Sequence, residues 1–220
     1  MSCLLRTTIF RKQIVAVSGL MISGFVLIHM AGNCLMFLGP QVYNFYGHQI
    51  TSGPIYYPIE IVLLLAFLTH IGTAILITRD NRKANVSTPG AMRTGGEKKA
   101  RFGSQSMIYT GLLILVFLIL HLITFRFGTY YEATYNGVIV RDLYRLMIEK
   151  FNEPLYTGWY LFSMVLLGIH LSHGFSALFQ TFGFASVKNC TVKKIGWIFA
   201  LLVAGGFSAQ PIYAIWVAGR

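Results

Sequence analysis

Five apolar stretches, at residues 13–38, 55–78, 105–125, 155–182 and 195–217, restrict what this chain can fold into more than any other feature. A hydrocarbon core of about 30 Å takes about 20 residues of helix, so each stretch can cross a bilayer. Within lipid the backbone must satisfy its own hydrogen bonds, which predicts an all-α integral membrane bundle of five transmembrane helices, one domain over 1–220. Pro40, Pro54 and Pro154 stand at the ends of these stretches, where they start or stop helices without breaking them. The residues are 55% hydrophobic and 11% charged, which excludes a soluble domain with an ordinary charged surface. The stretch from Ile14 outruns the core of a cleaved signal peptide and carries no A-x-A site, so it reads as the first span.

Charge orients the bundle. The N-terminal segment and the loops 79–104 and 183–194 fall on one side with thirteen basic residues: Arg6, Arg11, Lys12, Arg79, Arg82, Lys83, Arg93, Lys98, Lys99, Arg101, Lys188, Lys193 and Lys194. The other side holds Arg126, Arg141, Arg145, Lys150 and Arg220, offset by Glu132, Asp142, Glu149 and Glu153. The positive-inside rule puts the N-terminus in the cytoplasm and the C-terminus outside. One-sided charge without an interleaved aromatic surface speaks against nucleic acid and for topology, lipid head groups or an acidic partner. Residues 138–151, "VIVRDLYRLMIEKF", carry Val140, Leu143, Leu146, Met147 and Phe151 as an apolar stripe, expected as a short amphipathic helix along the outer interface. Cys3, Cys34 and Cys190 form no paired framework, and no CxxCH motif is present for covalent haem attachment.

Four of the six histidines, His29, His70, His121 and His170, lie inside four different spans. An unpartnered polar group in an apolar medium costs roughly 2–7 kcal/mol, and an ionisable residue within a span reads as functional by default. Depth sorts them. His29 and His121, on outward-running helices, come nine and four residues before the expected outer ends; His70 and His170, on inward-running helices, come past the midpoint. One pair results in the outer half and one in the inner half. Two imidazoles on facing helices suit the axial positions of a haem iron, whereas a closed zinc site takes four ligands. Gly19 and Gly111 each precede an outer histidine by ten residues, about 15 Å of helix, which sets both near the inner pair where a missing side chain leaves room for a flat ring. Small residues also let membrane helices pack closely, and that alternative stays open. His173, on a neighbouring face of the fourth span, competes with His170 for the same role; depth favours His170.

Taken together, "SGLMISGFVLIHMAGN", "GPIYYPIEIVLLLAFLTHIGTAIL", "GLLILVFLILHL", "VRDLYRLMIEKFNEPLY" and "HLSHGFSALFQTFG" make the chain resemble the dihaem cytochrome b anchor subunit of succinate:quinone oxidoreductases and quinol:fumarate reductases, the single-anchor, five-helix type. The resemblance covers nearly the whole chain. It implies two b haems, a proximal one on His70 and His170 near an iron–sulfur subunit and a distal one on His29 and His121. It implies partnership with that subunit and with a flavoprotein bearing the dicarboxylate site, in the cytoplasmic membrane. It also implies a menaquinone site toward the outer face, for which His48 and Glu60 are the titratable candidates. Haem propionates need cations or donors at the inner end, and Arg11, Lys12, Gln13 and Gln105 are in reach. Some fumarate reductases of this type carry a glutamate two residues before the fourth-span ligand; this chain has Gly168 there, so a proton path through that residue is absent or differently built. Absence of a nucleotide fingerprint and of a CxxC cluster leaves flavin and iron–sulfur chemistry to other chains. The rival readings are a stand-alone dihaem cytochrome, the anchor of another respiratory oxidoreductase, and a proton-coupled transporter using intramembrane histidines as relays.

Overall fold

The computed structural model describes residues 7–86, 95–184 and 189–219, with side chains for 7–83, 106–184 and 189–219. Cys3, Arg6, Arg93, Lys188 and Arg220, and the side chains of Lys98, Lys99, Arg101 and Gln105, lie outside the described residues. Seven α-helices form: α1 (Thr8–Asn33), α2 (Pro40–Ser52), α3 (Tyr56–Val86), α4 (Gly95–His121), α5 (Leu143–Phe151), α6 (Pro154–Thr181) and α7 (Cys190–Ala218). Five helical spans, Thr8–Leu38, Tyr56–Lys83, Ser106–Arg126, Pro154–Thr181 and Cys190–Ala218, are long and apolar enough to cross a membrane. The chain is therefore a multi-pass membrane protein, all-α in its spans.

Local chemistry sets the ends. The Thr7 hydroxyl accepts from Phe10 N at 3.3 Å and starts α1. The first span tightens into a 3-10 turn at Cys34–Leu38 and stops at Gly39, whose φ of 101° reverses the chain into Pro40, the first residue of α2. The α4 span closes in a π-turn over Leu122–Arg126. The Asn189 side chain caps α7 by accepting from Thr191 N and Val192 N.

One end of the bundle, which we call the cap end, carries α2, a β-hairpin and α5. The hairpin pairs β1 (Glu132–Tyr135) with β2 (Val138–Arg141) around Asn136-Gly137, both at positive φ, as a two-residue primed turn requires. This corrects the expectation of one amphipathic helix over 138–151. Val138–Arg141 is a strand, and the helix begins at Leu143 after Asp142, whose carboxylate caps it by accepting from Arg145 N at 3.0 Å. Its stripe packs inward, against the rest of the chain. Val140, Leu146, Met147 and Phe151 are buried, the last two in a core with Met36, Tyr43, Tyr160 and Ala214. Tight packing concentrates here and between α6 and α7. By contrast, Ala66 is the one buried hydrophobic residue of α3, and α4 buries only Thr110 among its described side chains. α3 packs along α1 and α4 along α6, while α3 and α4 scarcely meet. The bundle thus has two halves, α1–α3 and α4–α6–α7, joined directly where α1 rests on α6 and α7.

Candidate haem-ligating site

Two imidazole pairs occupy the space between the halves. His29 of α1 faces His121 of α4, with ring centroids 5.9 Å apart and ring planes at 89°. His70 of α3 faces His170 of α6, at 6.4 Å and 71°. Both pairs cross the seam, and they are the pairs that depth along the helices separates. His173, three residues after His170 on the same helix, is exposed. Two imidazoles on opposite sides of one metal ion, each with nitrogen ~2.0 Å from it and the ring centre ~1.1 Å farther back, have centroids about 6 Å apart. The observed spacings fit that requirement. Among the described residues no group of three or more histidines, cysteines or carboxylates that could hold a metal ion is present.

The hydrogen bonds around the second pair fix its tautomers. Ser18 Oγ donates to the Ile14 carbonyl at 2.8 Å, so toward His70 Nδ1, 3.3 Å away, it can only accept. His70 Nδ1 also lies 3.1 Å from the Val15 carbonyl, a pure acceptor. Thr110 Oγ1 likewise donates to Ser106 O at 3.0 Å and accepts from His170 Nδ1 at 3.1 Å. The Val15 carbonyl puts the His70 proton on Nδ1, which leaves its Nε2 lone pair for a metal, the arrangement in which a second partner orients a ligating histidine, and the Thr110–His170 bond fits the same tautomer. The residue after each hydroxyl is a glycine against the same ring. A Cβ at Gly19 would stand 3.1 Å from His70 Cε1, and one at Gly111 would stand 3.4 Å from His170 Cε1. Ser18-Gly19 and Thr110-Gly111 thus form one unit used twice, each ten residues ahead of a histidine of the other pair.

Around the first pair the environment is aromatic. Phe25 stacks on His29 at 5.3 Å, Phe117 and Phe125 flank His121, and Phe207 closes the side. Nδ1 of His121 is buried with no hydrogen-bond partner. A buried ring nitrogen left in that state is costly, and this one sits in the layer where a metal-bound ring would be placed.

The quinone candidates separate. Glu60 is bound by Arg126, whose Nε lies 2.9 Å from Oε1 and whose Nη2 lies 3.4 Å from Oε2, and it accepts from Tyr56 Oη at 3.4 Å. The Arg126 guanidinium also lies over the Tyr56 and Phe127 rings. The His48 ring, on α2, is bonded to Ser52 of its own helix, and among the described residues no hydrogen bond joins it to Glu60. A groove of about 300 Å³ runs between α1 and α3, lined by Met21, Phe25, Pro58, Ile59, Leu63 and Ala66 among others; Glu60 follows Ile59 in the chain but does not line it. Phe25 therefore borders both the groove and the His29 ring. Tyr130 and Tyr131 lie apart from Glu60, under Arg141 and Arg145. Of the propionate candidates, Arg11 is ion-paired with Asp80, and Lys12 and Gln13 are exposed. Sequence reasoning missed Ser18, Thr110 and Arg126 as partners; only the hydroxyl-glycine doublet, repeated at matched offsets, could have flagged the first two. No protein-family model, curated protein or solved structure matches the chain.

Proposed function

We propose that the chain is the electron-transfer membrane anchor of a succinate:quinone oxidoreductase or quinol:fumarate reductase. In this reading it sits in the cytoplasmic membrane with its N-terminus inside and joins menaquinone to an iron–sulfur subunit, itself bound to a flavoprotein. The observation that carries the reading is the presence of two imidazole pairs at different depths, each drawn from two helices on opposite sides of the seam. Bound b haem would supply one-electron transfer at an iron held by His29 and His121 in one layer and by His70 and His170 in the other. The chain itself holds, orients and shields. Ser18, Val15 and Thr110 fix two imidazoles by their Nδ1 protons; Gly19 and Gly111 keep Cβ atoms out of their way; Phe25, Phe117, Phe125 and Phe207 exclude water from the other two. The groove suits the apolar body of a lipid-soluble quinone, and Glu60, which follows the lining residue Ile59 in the chain, supplies a carboxylate that can take a proton when quinol is oxidised, with Arg126 and Tyr56 holding it in place.

A reduced-minus-oxidised visible spectrum of the purified protein tests this directly. Two low-spin b haems are expected in the parent and in His173→Ala, and one in His29→Ala, His70→Ala, His121→Ala or His170→Ala. A colourless parent, or two bis-imidazole spectra in His170→Ala, would overturn the reading. Glu60→Gln is expected to depress quinol-linked turnover strongly with both haems retained, and to spare dye-linked succinate oxidation, which bypasses the membrane carrier.

A further inference from the structure

Beyond His29, toward the cap, the first span ends in a buried polar chain that haem ligation alone does not require. Asn33, one turn after His29, donates from Nδ2 to the His29 carbonyl at 2.8 Å, and the same nitrogen stands 3.4 Å from both ring nitrogens of His29. Its Oδ1 accepts from Tyr43 Oη at 2.7 Å, and the Tyr43 oxygen also touches Met147 Sδ at 2.7 Å. The phenol has one proton and the amide oxygen is a far better acceptor than a thioether, so the proton goes to Asn33. That assignment fixes which way the carboxamide faces: oxygen to Tyr43, nitrogen to His29. Tyr43 is 7% exposed, on α2. The next residue, Asn44, turns the other way and is 1% exposed. Its side chain donates to Asp142 Oδ1 at 2.8 Å and to Tyr135 Oη at 3.3 Å, and accepts from Tyr144 N at 3.0 Å. α2 is thus held to the hairpin and α5 by Asn44, and to the His29 turn by Tyr43. His70 and His170 have no such link; their partners, Val15, Ser18 and Thr110, belong to neighbouring spans.

We propose that Tyr43 and Asn33 are positioning residues for His29: the phenol locks the Asn33 carboxamide, which holds its N–H dipole against one imidazole and so tunes one of the two haem sites from the cap. The inference rests on the dihaem reading. An ordered N–H dipole directed at the ring makes the ligand a poorer electron donor and favours the reduced metal. Releasing the amide removes that bias.

The experiment is a redox titration with low-temperature electron paramagnetic resonance on the membrane-extracted protein carrying both haems. In Tyr43→Phe, one of the two reduction steps moves to lower potential and one of the two low-spin ferric signals changes its largest g value, while the other step and signal stay in place. Asn33→Ser, which keeps Tyr43, reads the same link if Tyr43→Phe fails to accumulate. Tyr135→Phe loosens the cap without touching the link and leaves both signals unchanged. Unmoved signals in Tyr43→Phe or Asn33→Ser, or an equal shift in Tyr135→Phe, overturn the proposal while the dihaem reading stands; a parent without haem overturns both.

Discussion

His70 and His170 have the same kind of partner but not the same number of them. The His70 Nδ1 proton has the Val15 carbonyl at 3.1 Å as well as Ser18 Oγ at 3.3 Å, whereas Thr110 Oγ1 is the acceptor for His170. Removing Thr110 therefore strips His170 of its orienting bond, and removing Ser18 leaves His70 with the carbonyl. Outer partners of a metal-bound histidine are worth roughly 10–100-fold in affinity or activity. Under the proposed dihaem reading, Thr110→Val is expected to speed haem loss to an acceptor apoprotein at one site by about 10-fold or more, and Ser18→Ala by clearly less. Equal effects would mean that the hydroxyls do not hold the rings. Gly19 offers a steric counterpart. With a Cβ already 3.1 Å from the His70 ring, Gly19→Val has to push the imidazole aside, so under the proposed dihaem reading the spectrum is expected to lose one haem while the His29–His121 layer keeps its own.

The helices differ in what their glycines are for, and α6 and α7 show it most plainly. A Cβ at Gly196 would stand 3.2 Å from the Ser172 carbonyl and 3.3 Å from Phe175 Cβ; one at Gly168 would stand 3.4 Å from Ala204 Cβ. Gly196→Val and Gly168→Val are expected to cost about 1–3 kcal/mol each by overpacking, read as a lower unfolding midpoint in a detergent titration. Gly24→Val and Gly205→Val, where an added Cβ meets nothing within 4 Å, are the controls expected to change little. Gly168 itself is buried against α7, where an added Cβ would meet Ala204 Cβ at 3.4 Å. The spans were legible in the sequence because an 18-residue apolar run has few other fates, and the depth of a histidine follows from helical rise alone. The cap was not. The apolar spacing of 138–151 fits a helix stripe, but the primed-turn dipeptide Asn136-Gly137 overrides it by pairing Val138–Arg141 with the preceding strand. Likewise, α2 is rich in polar and aromatic residues and weakly patterned, and its place depends on Asn44 finding Asp142 nearly a hundred residues away. The Glu60–Arg126 pair is a contact of the same long-range kind.

Across the whole molecule, the end opposite the cap is where the basic residues gather. Arg11 and Asp80 tie the start of α1 to the far end of α3 there, and Arg82 is exposed beside them. If an acidic iron–sulfur subunit docks on this end, Arg82→Gln with Lys83→Gln should weaken its co-purification, most clearly at low salt, and make what remains less salt-sensitive, with any haem spectra intact. Unchanged co-purification across salt would leave these charges to lipid and topology. The seam between the halves carries a further consequence, for how the protein is made. His29 and His70 belong to the α1–α3 hairpin, His121 and His170 to the α4–α6 hairpin, and α3 hardly touches α4. Each hairpin can enter the membrane as its own unit, and a ligand gripped from both sides then acts as a rivet between them. In that case cofactor supply bears on biogenesis: cells starved of haem would accumulate inserted chains held together by the cap contacts alone, more open to proteolysis from the lipid side, and two co-expressed fragments, 1–90 and 91–220, would stay together through purification better with haem than without it.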